Sequence, residues 1–351
     1  MLGFAHAKRR RSYKKNGNND SYSSIIRNFA AVMRILDFLK QWSLPCSLLV
    51  GTVIYLMFAY VPVLAPMGEV CEPVLTSMLP VVLFSLLFVT FCKIQLHDLR
   101  PRMWHFWLQL IRVCLSALVV WLISLTEDAS VKLVLEGVFI CVICPTAAAA
   151  PVITEKLGGS IASLTIYTII ANVVTSIIIP LFFPMVERSA DVGFLTASLM
   201  VLRNVTTVLV VPLALALVCR RLFPRFVAWI TGIKDLAFYM WCFNLAIVTG
   251  LTVRNILHAE VSGWVLSLLL MLPLGVCLLL FSIGKGVGYC YDDSISAGQA
   301  LGQKNTIVGI WLTITFLNPL AAVAPGAYVL WQNVVNAWQL WYKRKYGTLK
   351  W

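Results

Sequence analysis

Charge is scarce in this sequence. Asp, Glu, Lys and Arg make up only 12% of it, with 15 acidic residues against 28 lysines and arginines. Soluble domains carry about a quarter charged residues, so a water-exposed globular fold is excluded. The 60% hydrophobic content likewise excludes a disordered chain. Histidine is scarcer still, with four in 351 residues. No H-E-x-x-H, G-x-S-x-G or Walker A sequence occurs, and Gly284-Lys-Gly-Val-Gly288 is too short for a phosphate loop. An enzyme is therefore not expected, nor a cofactor or a metal. The ten cysteines do not read as a disulfide framework, because most fall inside apolar runs, where a thiol behaves as a small hydrophobe. Cys141 and Cys144 form a C-x-x-C pair with no histidine nearby, too few ligands for zinc.

What remains is long apolar segments. They are continuous rather than alternating, so they predict helices and not the strands of an outer-membrane barrel. Ten are expected, near Leu44–Leu64, Pro73–Cys92, Met103–Leu125, Val131–Lys156, Ile161–Phe183, Phe194–Val218, Leu236–Val253, Val261–Phe281, Ser294–Phe316 and Leu320–Trp341. The fold class is thus an all-α polytopic membrane protein with ten transmembrane helices. Ahead of them, Ile25, Ile26, Phe29, Val32, Met33, Ile35, Leu36 and Leu39 recur at near-helical spacing, which predicts an amphipathic surface helix.

The basic excess is not a nucleic-acid signal. An even number of spans puts both termini on one side. The opposite face then carries only Lys132, Arg188 and Arg254, and the spans hold Arg112, Arg203 and Lys304. Every other lysine and arginine falls on the side of the tails, which assigns that side to the cytoplasm and the protein to a multi-pass plasma membrane, a bacterial inner membrane in the first instance.

Two segments are poor spans. The fourth contains Cys144-Pro-Thr-Ala-Ala-Ala-Ala-Pro151, whose prolines break a helical ladder. The ninth contains Gly298-Gln-Ala-Leu-Gly-Gln-Lys-Asn305, polar where lipid demands apolar residues. Non-helical backbone at membrane depth survives only inside protein or beside a water-filled cavity. The breaks lie about 154 residues apart and the first and sixth spans about 150, so they occupy matching places in two halves. An odd number of spans per half inverts the second. The expected organisation is a basic tail (1–43), two inverted five-helix repeats (44–184 and 185–342) and a second basic tail (343–351). Paired broken helices in inverted repeats point to a secondary transporter with a midplane site, and half-helix N-termini there suit anions.

At these segments the sequence resembles the bile acid:sodium symporter superfamily. The resemblance rests on the Cys144–Pro151 crossover, on Val210-Val-Pro-Leu-Ala-Leu-Ala-Leu-Val-Cys-Arg-Arg-Leu-Phe-Pro224, on the ninth-span break, and on Asn318-Pro-Leu-Ala-Ala followed by Trp331-Gln-Asn333. It implies a core domain (spans 3–5 and 8–10), a panel domain (spans 1, 2, 6 and 7), broken helices 4 and 9 crossing, and alternating access for a small organic anion. The family's sodium-site positions fall here on Ala150, Pro151, Leu164, Thr168, Ala300 and Gln109, of which only Thr168 and Gln109 are polar. Its glutamine falls on Lys304. The resemblance places Thr146, Asn305 and Asn333 near the substrate.

Transport without sodium is therefore expected, with the Lys304 ammonium standing where the sodium charge would be, as a fixed charge or as a proton-coupled switch. A lysine reaching up to a membrane interface is the other placement open to Lys304. Glu136 is the one clearly intramembrane acid available to partner it. Arg112 and Arg203 are substrate-attracting candidates that equally fit pairing with a carbonyl or a lipid headgroup. Two other functions stay open. One is a proton-coupled exporter related to the arsenite-efflux family, in which Cys144 would match and Ala300 would not. The other is a ligand sensor on a transporter fold that moves nothing.

Overall fold

The computed structural model describes residues 42–94, 98–187, 210–259 and 261–349, together with Leu199 and Arg203. All regular structure among them is helical. In chain order the helices are α1 (Ser43–Tyr60), α2 (Ala65–Phe91), α3 (Met103–Ser124), α4 (Ala129–Ile143), α5 (Ala150–Leu157), α6 (Ile161–Val186), α7 (Val211–Leu222), α8 (Pro224–Gly232), α9 (Leu236–Leu257), α10 (Gly263–Tyr289), α11 (Ser294–Gly302), α12 (Thr306–Phe316) and α13 (Val323–Tyr346), with a 3-10 turn at Pro319–Ala322 before α13. From Ser47 onward they form one compact unit. The amphipathic stretch at 25–40 and most of the sixth expected span lie outside the described residues.

Six of these helices are long and apolar enough to cross a membrane: α1, α2, α3, α6, α9 and α10. The protein is a multi-pass helical membrane protein. The fourth and ninth expected spans are each split, into α4 and α5 and into α11 and α12. The prolines and glycines of the two breaks thus act as the sequence implies. α13 forms as a helix, but Gln332, Asn333, Asn336 and Gln339 line its buried face.

Side-chain caps set several helix starts. Asp128 accepts from the N–H groups of Ser130 and Val131 (2.8 and 3.0 Å) before α4, and Ser160 accepts from Ser163 (3.1 Å) before α6. α5 stops at Gly158, whose φ of 89° is left-handed.

Two expected boundaries are corrected. Pro73 does not open the second span, since α2 begins at Ala65 and carries Pro73 and Pro80 inside it. The eighth span does not end at Phe281, and Lys285 is not in a loop. α10 runs on to Tyr289 because Gly284 and Gly288 let it lie directly against α11. A Cβ on Gly284 would come within 2.5 Å of the Ala297 carbonyl oxygen, and one on Gly298 within 2.6 Å of Lys285 Cγ. Lys285 is consequently buried against α11, 9% exposed.

α3 packs on α4 and α6, α10 on α11 and α13, and α9 on α2. The short helix α5 is held at its C-terminal end by two ion pairs. Lys93, just beyond α2, binds Glu155 at 2.8 Å, and Lys156 pairs with Asp235 ahead of α9. Lys156 also sits 5.0 Å over the Phe238 ring, and Lys343 donates to its carbonyl at 2.9 Å.

Candidate functional site

The two breaks meet. Thr146 and Lys304 form an isolated antiparallel bridge. The Ala147 N–H donates to the Gln303 carbonyl (3.2 Å), and the Asn305 N–H to the Pro145 carbonyl (2.8 Å). Each interrupted chain thereby satisfies backbone groups that the other leaves open, which is what non-helical backbone at membrane depth requires.

The crossing also brings together two helix C-termini, those of α4 and α11, where the last carbonyls have no intrahelical donor and the helix dipole is negative. They are satisfied differently. At α4, Lys304 Nζ donates to the carbonyls of Val142 (2.8 Å) and Cys144 (3.2 Å). At α11, hydroxyls do the work: Thr146 donates to the Ala300 carbonyl (2.6 Å) and Tyr328 to the Gly302 carbonyl (2.7 Å). Gln332 fixes the Lys304 backbone by accepting from its N–H at 2.8 Å.

Lys304 is 2% exposed, so it does not reach an interface. Nor does Glu136 reach it: that carboxylate accepts from the Asn318 N–H at 3.4 Å, and no ion pair among the described residues involves Lys304. A second cation lies close by. Arg112 of α3 is buried and donates to the carbonyls of Ile143 and Ala171 (3.0 Å each) and to the Thr175 hydroxyl (2.7 Å). Of the readings open to Arg112, the structure has it pairing with carbonyls.

The remaining candidates divide. Ala150, Pro151, Leu164 and Ala300 are buried and present no side-chain oxygen. Thr168 spends its proton on the Leu164 carbonyl (2.8 Å). Gln109 is buried with both amide atoms unpartnered. Asn305 caps α12 by accepting from the Val308 N–H (3.4 Å). Asn333 donates to the Val329 carbonyl (2.7 Å), and its Oδ1 is unpartnered. Arg203 is exposed, unlike the other candidates. Cys141 and Cys144 are buried thiols, and no metal-holding group of His, Cys, Asp or Glu occurs among the described residues.

Sequence reasoning missed Tyr328, Gln332, Trp104 and Tyr167. The first two sit at i and i+4 on α13, a spacing that aims both at one neighbour, and Gln332 directly precedes Asn333. That spacing was the available signal.

A multi-pass helical bundle in which two broken helices cross and pair is the architecture of a secondary transporter. The chain belongs to the sodium bile acid symporter family, whose sequence model matches residues 80–259, just over half its length. The match runs from within α2 to the end of α9 and includes the α4–α5 break. No curated protein matches the chain. Members of the family are secondary transporters and not enzymes, and this chain is accordingly a membrane transporter of a small solute.

Proposed function

We propose that the protein moves a small organic anion by alternating access without sodium coupling. In this reading the chain has ten spans in two inverted repeats (44–184 and 185–342), core and panel domains, and both tails in the cytoplasm. Lys304 supplies the positive charge that a bound sodium ion gives its relatives. The observation that carries the proposal is the Lys304 ammonium, buried against the Val142 and Cys144 carbonyls at the C-terminal end of α4. That position calls for a cation, and a tethered one needs no ion gradient to stay. The side chains at Ala150, Pro151, Leu164 and Ala300 offer sodium no oxygen ligand. Thr146, Asn305, Asn333 and Arg112 line or brace the crossing beside which the anion would bind. Arg203 is retained only as a surface charge that attracts it.

The test is anion uptake into proteoliposomes with an inward sodium gradient or with potassium in its place. Uptake should change by less than about twofold. A rise of about fivefold or more, the low end of ordinary coupling between sites, overturns the sodium-free reading. A gain-of-function variant checks the charge exchange. Lys304→Gln combined with Ala300→Glu removes the tethered cation and returns a carboxylate and a neutral amide to the crossing. The double variant should melt at a higher temperature in sodium than in potassium, whereas the native protein should not distinguish the two salts.

A further inference from the structure

A slot of about 540 Å³ lies among α1, α2 and α9, and no residue of the crossing lines it. Glycines shape it. Gly51 lays α1 on α9, where a Cβ would run into the Ala246 carbonyl oxygen. Gly68 brings the start of α2 onto the end of α1, where a Cβ would stand 2.8 Å from Phe58 Cβ. α2 packs on α9 in turn. Two arms and a floor thus enclose the slot.

The floor decides where the slot opens. At about 100° per residue, Ala246, Ile247, Gly250, Leu251 and Arg254 fall on one side of α9, and these line the slot. Trp241, Leu245, Thr249 and Thr252 fall on the opposite side and are buried. That buried side meets α13, since a Cβ on Gly326 would lie 3.6 Å from Thr252 Cγ2. The slot is therefore on the far side of α9 from the crossing. Val50, Val53 and Ile54 of α1, Val70 and Val74 of α2 and Phe243 of α9 are exposed around it. In a membrane protein such a surface meets lipid, so the slot is open to the bilayer.

The interior and the rim differ in chemistry. Val50, Ile54, Phe58 and Leu75 give apolar walls. On α9 the lining runs from Phe243 to His258, about 22 Å at 1.5 Å per residue. One leaflet's hydrocarbon is about 15 Å deep, so an acyl chain fits along it. Charge gathers at one end, in the first turns of α2 and the last of α9. Glu72 pairs there with Arg254, and Tyr55 lies within the field of both. Glu69, one turn before Glu72 and also lining the slot, is exposed and has no hydrogen bond or ion pair among the described residues.

Two carboxylates and one guanidinium form this rim, so a fatty-acid carboxylate would meet a net negative charge. A headgroup with a primary ammonium and a phosphate finds a partner for each. The ammonium has three N–H donors for the carboxylates, and a guanidinium suits phosphate oxygens. We infer that the slot binds a phospholipid of the phosphatidylethanolamine type, with one acyl chain between α1, α2 and α9 and its ammonium on Glu69 and Glu72. The lipid site stands independently of the transported anion and of its coupling.

The experiment uses the purified, delipidated full-length protein at constant detergent. Phosphatidylethanolamine, phosphatidylcholine and phosphatidylglycerol with identical acyl chains are titrated in, while Tm is followed and bound lipid is counted by native mass spectrometry. A ligand that binds only the folded state raises Tm in a saturable way, and phosphatidylethanolamine should do so by roughly 2 °C or more with one lipid retained. Phosphatidylcholine, whose methyls replace the N–H donors, and the anionic phosphatidylglycerol should give about half that rise or less. Glu69→Gln alters an exposed side chain and should cut the phosphatidylethanolamine rise by about half or more. Ile247→Trp fills the slot and should remove both the rise and the retained lipid. Equal rises for the three lipids overturn the site, as does no rise with phosphatidylethanolamine. An undiminished rise in Glu69→Gln overturns the headgroup contact, and one in Ile247→Trp overturns the slot. Sodium-driven uptake by a protein that still selects phosphatidylethanolamine would sink the transport reading and leave this site standing.

Discussion

Replacing Lys304 with methionine should lower stability by about 2 kcal/mol and Tm by roughly 5 °C, and should abolish uptake. Methionine nearly preserves the stem, so little cavity is created. What disappears is the donor to the Val142 and Cys144 carbonyls, which then face apolar surroundings unpaired. One effect opposes this, since the variant also removes a buried charge lying near Arg112, and deleting buried charge can be neutral or favourable when every partner goes with it. Here the partners are main-chain carbonyls that stay behind, so the loss wins. Thermal melts and proteoliposome uptake check it together. A Lys304→Met protein with native Tm and native uptake would end the assignment of Lys304 to the crossing's function.

Gly284→Val should be as damaging, although it lies well away from Lys304 in the chain. Its Cβ would fall 2.5 Å from the Ala297 carbonyl oxygen and 2.9 Å from Gly298 Cα. Those contacts are backbone, which cannot swing aside, so α10 and α11 must part. Overpacking of this kind costs about 1–3 kcal/mol. α11 also delivers Ala300, Gln303 and Lys304 to the crossing, so the displacement should suppress uptake by about tenfold or more, equivalent to misplacing a group by roughly an ångström. Gly286→Ala is the control. Nothing lies within 4 Å of its Cβ, and trading glycine for alanine inside a helix should leave Tm unchanged or slightly higher. Equal melts for Gly284→Val and Gly286→Ala would contradict the close packing of α10 on α11.

The parts of this architecture that were legible in the sequence are those written in local chemistry. Pro145, Pro151 and the polar run from Gly298 to Asn305 announce themselves against apolar surroundings, and both breaks fall where those residues sit. The partner of Lys304 was not legible. A reading of side chains looks for a carboxylate and finds Glu136, whereas the actual acceptors are carbonyls of Val142 and Cys144, which carry no sequence signature. The pairing of Thr146 with Lys304 is a long-range register, set only when α4 and α11 are packed. Lys285 was misplaced for a related reason. Gly284, Gly286 and Gly288 read as a loop in isolation, yet two of them are the contact surface that lets α10 continue against its neighbour.

The ion pairs at the tail of α5 have a consequence of their own. Lys93–Glu155 and Lys156–Asp235 tether this short rod, on which one arm of the crossing is built, to α2 and to the entry of α9. Any stroke that slides the rod past those helices must first sever both tethers. All four side chains are roughly a quarter to a third exposed, so dissolved salt screens their attraction. The turnover of this protein should therefore quicken with ionic strength, a dependence written into four charged side chains rather than into anything it carries.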